Sequence, residues 1–206
     1  MESPEMLFDG PLEGRPLVLA HGAGAPMDSP YMNGMAQGLA AAGLRVARFE
    51  FPYMHRRRQT GERRPPDREP VLREAWLAAI ASLADPARLV IGGKSLGGRM
   101  ASLVAEQAGV RGLVCLGYPF HPPDQPDRLR TAHLAHLRTP TLVVQGTRDP
   151  FGNPEEVGRY GLSPSIRIHW IADGDHSLKP RVSSGRTEKQ NLAEAIEAVR
   201  EFVEGL

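Results

Sequence analysis

The 206-residue sequence predicts an α/β fold: one mainly parallel sheet of about six strands, with helices on both faces, in a single domain spanning residues 1–206. Three observations carry this. The apolar runs are short, rich in Val, Leu and Ile, and bounded by glycines; most are continuous rather than alternating, as strands buried on both faces require. The longer segments between them carry helical spacing. Strand and helix then alternate along the chain, which implies right-handed crossovers and a parallel sheet.

The elements follow in order. Residues 16–20 form the first clear strand. Residues 31–42 are Ala- and Met-rich and end at Gly43, a helix stop. Residues 44–51 form the second strand. Residues 55–73 hold seven of the 22 arginines with Pro65, Pro66 and Pro70, and read as a long, proline-stiffened excursion. Residues 69–83 place Leu72, Trp76, Leu77, Ile80 and Leu83 on one helical stripe. Then come a strand at 89–92, a helix at 96–108 stopped by Gly109, a strand at 112–116 and a weaker helical segment at 127–137. Strands at 141–145 and 166–171 lead to a last helix at 187–203. Its Leu192, Ile196, Val199 and Val203 share a face, and Thr187 and Gln190 are set as a capping box.

Composition narrows the function classes. Lys and Arg total 25 against 24 Asp and Glu, so the net charge is +1. A nucleic-acid binder carries a strongly basic footprint, and none is expected here. The single Cys115 excludes an internal disulfide and a Cys-rich zinc site; it suits a reducing compartment, and a cytoplasmic location is expected. The acidic start, Met1 to Glu5, lacks the basic region of a signal peptide. No apolar run approaches the roughly 18 residues of a membrane span. No membrane partner, metal or cofactor is expected.

In parallel sheets ligands bind beyond the carboxyl ends of the strands, so the loops there bear the chemistry. The strand at 89–92 runs into Gly93-Lys94-Ser95-Leu96-Gly97-Gly98, a G-x-S-x-G between a strand and a helix. Such a turn projects the Ser95 hydroxyl over the sheet edge. Glycines at −2 and +2 avoid collision with the neighbouring strand and helix, and the N–H of Leu96 becomes an oxyanion donor. The bland alternative is a tight turn with an incidental serine. The first strand runs into His21-Gly22-Ala23-Gly24-Ala25, where Ala23 is the second expected donor and Gly22 the alternative. A serine needs a base, and the base an orienting carboxylate. Asp149 follows the strand at 141–145 and His176 follows the strand at 166–171, so Ser95, Asp149 and His176 all sit in loops on the ligand side. Asp173 and Asp175 fit a turn-shaping role, and Asp124 is a rival acid. His55, His133, His136 and His169 suit structural or solvated roles. His21, Arg58, Tyr118 and Phe120 are the candidate substrate contacts. The arginine loop itself reads either as a solvated face of Arg–carboxylate pairs or as a rim that meets an anionic group.

With these segments in place, the chain resembles the α/β-hydrolases along nearly its whole length. It is similar to the small hydrolase-like family related to dienelactone hydrolases, which also includes hydrolase-like domains of testis-expressed protein 30 and of subunit 3 of the non-specific-lethal chromatin complex. The resemblance implies Ser95 as nucleophile, His176 as base and Asp149 as acid. Three departures stand out. Dienelactone hydrolases proper use a cysteine nucleophile. Larger hydrolases open with two extra strands, whereas about 14 residues precede the first clear strand here. The usual lid is reduced to the short segment 117–126, which implies a shallow, open site. The expected activity is hydrolysis of a small ester or thioester by a serine hydrolase. The alternative is a catalytically silent binding or scaffold module that retains the fold.

Overall fold

The computed structural model describes residues 4–83 and 85–206; the first three residues of the acidic start lie outside them. Seven strands form one sheet: β1 (Met6–Asp9), β2 (Pro16–Ala20), β3 (Arg45–Phe49), β4 (Val90–Lys94), β5 (Gly112–Leu116), β6 (Thr141–Gly146) and β7 (Ile166–Ile171). Their order is β1-β3-β2-β4-β5-β6-β7, with β2 to β7 parallel and β1 antiparallel to β3. The expected six strands are therefore seven. The added edge strand β1 is four residues long, only partly buried, and fastened by an Arg48–Asp9 ion pair of 2.7 Å.

Period-two alternation builds a core on each face of the sheet. Val18, Ala20, Ile91, Leu113 and Cys115 point to one side, where Trp76 of α3 (Glu69–Ala81) and Met100 and Val104 of α4 (Leu96–Ala108) cover them. Leu17, Leu19, Val90, Val114 and Leu116 point to the other. There Met35 and Leu39 of α1 (Pro30–Ala41) meet Val199 and Val203 of α6 (Glu188–Glu204). The capping box at Thr187 and Gln190 forms as the sequence implies.

Two segments depart from expectation. The arginine excursion begins as a helix, α2 (Pro52–Thr60), with Pro52 in its first turn and Gly61 at φ 73° closing it. The helix expected over 127–137 does not form. That stretch is held by outside partners instead, with Arg130 N–H donating to Phe120 O and Ser163 N–H to Leu134 O, which leaves one 3-10 turn at Leu134–His136. A four-residue helix, α5 (Pro154–Val157), follows the β6 loop under an Asn153–Glu156 capping box. Segment 117–126 contains no helix or strand and covers nothing as a lid.

Candidate active site

Ser95 occupies the single residue between β4 and α4, at φ 50° and ψ −111°. A non-glycine residue there is strained, and the surrounding packing has to hold it. That packing is close. A Cβ on Gly93 would lie 2.2 Å from Ala20 O, and one on Gly97 would lie 2.4 Å from the same atom. The two flanking glycines thus let the serine turn press against the end of β2. Ser95 N–H donates to Leu116 O at 3.0 Å, which fixes the turn on the β5 side.

The residues after β6 and β7 meet this serine. His176 Nε2 lies 2.9 Å from Ser95 Oγ, and His176 Nδ1 lies 2.8 Å from Asp149 Oδ2. The buried carboxylate accepts a hydrogen bond from Nδ1–H and so fixes the tautomer, which leaves Nε2 free to accept from the serine hydroxyl. Asp149 Oδ1 accepts from Phe151 N–H at 2.9 Å, and Oδ2 accepts a second bond from Gln145 Nε2 at 2.9 Å. The Phe151 ring packs on the imidazole at a centroid distance of 4.2 Å. Burial lowers the His176 pKa below the ordinary 6.5, against the opposing pull of Asp149. Asp173 and Asp175 build the turn that presents His176. Asp175 Oδ1 accepts from Ser177 and Lys179 N–H, while Asp173 pairs with Arg148 and Arg181.

Gly22, Ala23, Gly24 and Ala25 face Ser95 and His176 across a cleft of about 310 Å³, with Tyr31, Met32, Lys94, Phe151 and Ser177 completing its wall. Among the described residues, the N–H groups of Ala23 and Leu96 donate to no protein acceptor. The loop carrying Ala23 is pinned from beneath, since Tyr53 Oη donates to Ala23 O at 3.0 Å.

The family model for the alpha/beta hydrolase domain matches residues 13–204. The chain belongs to the alpha/beta hydrolase domain family. Among solved structures it is similar to a dienelactone hydrolase of Anabaena variabilis, at 23% identity over 97% of this chain and 90% of that one, with a TM-score of 0.71. It is also similar to a lidless serine hydrolase of Xanthomonas campestris, at 18% identity over 97% and 87%, with a TM-score of 0.69. At these identities the likeness is one of fold. A curated relative, the Rattus norvegicus protein named Putative protein-lysine deacylase ABHD14B, is 29% identical over 139 residues. That match takes in 66% of this chain and 63% of the relative's length.

Within this hydrolase fold, four other candidate residues lie away from the cleft. His21 is fully buried; its Nε2 accepts from Phe51 N–H at 3.1 Å and its Nδ1 donates to Gly22 O at 2.7 Å. It holds the loop beneath the cleft and is spent in doing so. Tyr118 and Phe120 are fully buried, with Tyr118 Oη donating to Arg130 O. Both belong to the core: the two rings pack together at 4.8 Å, and Phe120 meets Tyr160 at 5.7 Å. Arg58 is engaged by Glu50 at 2.7 Å and Asp28 at 2.8 Å. Arg56 and Arg64 pair with Asp67 and Glu62. Among the described residues Arg57, by contrast, reaches only Gly24 O, at 3.4 Å, and Gly24 lines the cleft. Of the other histidines, His133 contacts Ser102 at 2.8 Å and His169 contacts Glu194 at 3.3 Å. Asp124 is exposed. Sequence reasoning missed Gln145, a lone amide ending an apolar strand just before the acid loop, and Lys94, a lone charge in β4. In each, a polar residue inside a buried strand was the available signal.

Among the described residues, no group of three or more His, Cys, Asp or Glu side chains could hold a metal ion. No helix of the described chain is long and apolar enough to cross a membrane.

Proposed function

We propose that this protein is a serine hydrolase that cleaves a small ester or thioester through an acyl-enzyme. One observation carries the reading: a serine on a strained strand-to-helix turn within 2.9 Å of an imidazole whose other nitrogen meets a buried carboxylate at 2.8 Å. Ser95 Oγ attacks the acyl carbonyl while His176 Nε2 takes its proton. Asp149 stabilises the imidazolium that forms, and the N–H groups of Ala23 and Leu96 receive the oxyanion. His176 then protonates the leaving group, and water repeats the sequence to free the acid. The small cleft without a lid favours short acyl groups. Arg57, at its rim, is the arginine available to an anionic group on the substrate. Buried, unpaired Cys115 suits a cytoplasmic protein.

The test is intact-mass analysis after exposure to a fluorophosphonate, beside Ser95→Ala and heat-unfolded controls. One adduct on the native wild type alone is expected. A panel of short acyl esters, acyl thioesters and acyl-lysine peptides then follows, the last prompted by the name of the rat relative. A folded wild-type protein that takes no adduct would overturn the enzyme reading in favour of a binding module.

A further inference from the structure

Lys94 is the residue immediately before Ser95, and its side chain runs inward rather than out to solvent, with 8% of the residue exposed. Its Nζ donates to the main-chain carbonyl of His176. The ammonium also stands 5.7 Å from the centroid of the Tyr31 ring. No carboxylate among the described residues lies within ion-pair distance of it. The surrounding chain is shaped to admit this arm. A Cβ on Gly117, the residue after β5, would lie 2.8 Å from both Lys94 Nζ and His176 O, and one on Gly22 would touch the lysine stem at 3.4 Å.

A buried ammonium with one carbonyl and one aromatic face for company is a costly arrangement. A methionine would fill the same volume without that cost. The position of the charge says what it does. Lys94 joins the strand that carries the nucleophile to the loop that carries the base, across a gap of 82 residues in the chain. We propose that Lys94 is a positioning residue of the hydrolytic site, one that ties the His176 main chain to the Ser95 strand and, by its charge, holds the imidazole neutral and ready to accept a proton. The inference rests on the serine-hydrolase reading of Ser95 and His176.

The electrostatic setting is defined on every side. Asp149 follows β6, Asp175 and His176 follow β7, and the phenol of Tyr31 comes from α1. Asp149 and Asp175 favour charge on Lys94, and desolvation opposes it more strongly, which brings the lysine down to about 8. Burial disfavours protonation of His176 most, and the Lys94 charge adds to it, against Asp149 and Asp175. Removing the lysine charge therefore raises the pH at which His176 takes up a proton.

The experiment measures the rate of fluorophosphonate labelling of Ser95 against pH for the whole protein. Three variants are compared with wild type. Lys94→Met removes charge and donor, Lys94→Gln keeps a donor without charge, and Lys94→Arg keeps the charge. Both neutral variants should move the acidic limb up by about one pH unit. The arginine variant should leave the limb in place, and Lys94→Met should lower the plateau rate about tenfold through loss of the anchor. Either neutral variant suffices for the limb, so the test survives if one of them does not fold. A limb that stays put in a folded neutral variant, or that moves equally with arginine, would overturn the proposal. Wild-type protein that never labels at any pH refutes the hydrolase reading instead, which separates the two failures.

Discussion

Gln145→Leu is the substitution that probes the support of the acid most directly. Gln145 is fully buried. Its Nε2 donates to Asp149 Oδ2 at 2.9 Å and, more weakly, to Tyr118 O and Gly152 O at 3.2 Å, and its Oε1 accepts from Tyr118 N–H at 2.7 Å. Leucine has nearly the same volume and makes none of these bonds, of which the two shortest dominate the cost. Tyr118 N–H is then buried without an acceptor, which costs about 1–3 kcal/mol, and Asp149 loses a charge-assisted bond worth about 1.5–3 kcal/mol. The apolar gain from the leucine offsets about 1–2 kcal/mol. The net expectation is about 2–3 kcal/mol of stability, or roughly 4–12 °C in melting temperature for a chain of this length. Asp149 keeps its bond from Phe151 N–H at 2.9 Å, so the carboxylate stays in place but turns more freely. Labelling of Ser95 should slow on the order of tenfold, the equivalent of about one such hydrogen bond. Urea unfolding at pH 7 and the labelling rate on the same samples make the assay. A variant within about 0.5 kcal/mol of wild type that labels at the wild-type rate would refute the reasoning, because it would show that the amide neither satisfies Tyr118 nor orients Asp149.

Three further outcomes follow from the same contacts. Gly97→Ala places a Cβ 2.4 Å from Ala20 O and 2.7 Å from His21 O, both main-chain atoms; it should cost roughly 1–3 kcal/mol and abolish labelling, as thermal melts and intact mass would show. Burial depresses the pKa of His21, His133 and His176, the second to about 4. The unfolded chain therefore binds more protons below about 6.5, and stability should fall as the pH drops from 6.5 towards 4. Urea midpoints at pH 7 and pH 5 test this, and His133→Gln should flatten the slope; equal midpoints in the wild type would contradict it. Lys94, at about 8 against 10.5 unfolded, runs in the alkaline direction. From pH 8 to 9 the unfolded chain holds the extra proton, so stability should rise with pH there, by up to roughly 1.4 kcal/mol from this group; above pH 9 the Cys115 thiol and the Tyr31, Tyr53 and Tyr118 phenols, all pushed up by burial, offset it. Lys94→Met should lose that rise and melt no lower than wild type at pH 7.

The parallel part of the fold was legible because buried strands announce themselves as Val- and Leu-rich runs between glycines. The edge strand β1 does not: Met6-Leu7-Phe8-Asp9 is four residues with Phe8 half exposed, held by its ladder to β3 and by Arg48 and Asp9 meeting 39 residues apart. Helix α2 hid behind its arginines, although Pro52 and Gly61 were ordinary start and stop signals. The opposite error occurred at 127–137, where helical spacing gave way to tertiary bonds from Phe120 and Ser163. That Ser95, Asp149 and His176 meet was legible because chain order and loop placement bring those three loops to one end of the sheet. His21 and Tyr118 could not be excluded as substrate contacts, because a loop on the ligand side of a sheet has an inner surface as well as an outer one. His21 spends both ring nitrogens on the inner surface.

The sheet order explains why the remaining parts of the site take the form they do. Ser95 follows β4, while Asp149 and His176 follow β6 and β7, so β5 lies between the serine and the two residues that meet it. His176 has to lean across the end of β5 to reach Ser95. The residue it crosses is Gly117, at φ 67°, where a side chain would meet His176 O at 2.8 Å and Nδ1 at 3.3 Å. With the crossing left bare, the imidazole needs other supports. It has three: the Asp149 carboxylate at one nitrogen, the Phe151 ring against its face, and the Lys94 ammonium at its own carbonyl. Each comes from a different element or a different side of the ring. An imidazole that spans a strand is thereby supported at a ring nitrogen, at its ring face and at its main chain, in a cleft that no lid closes.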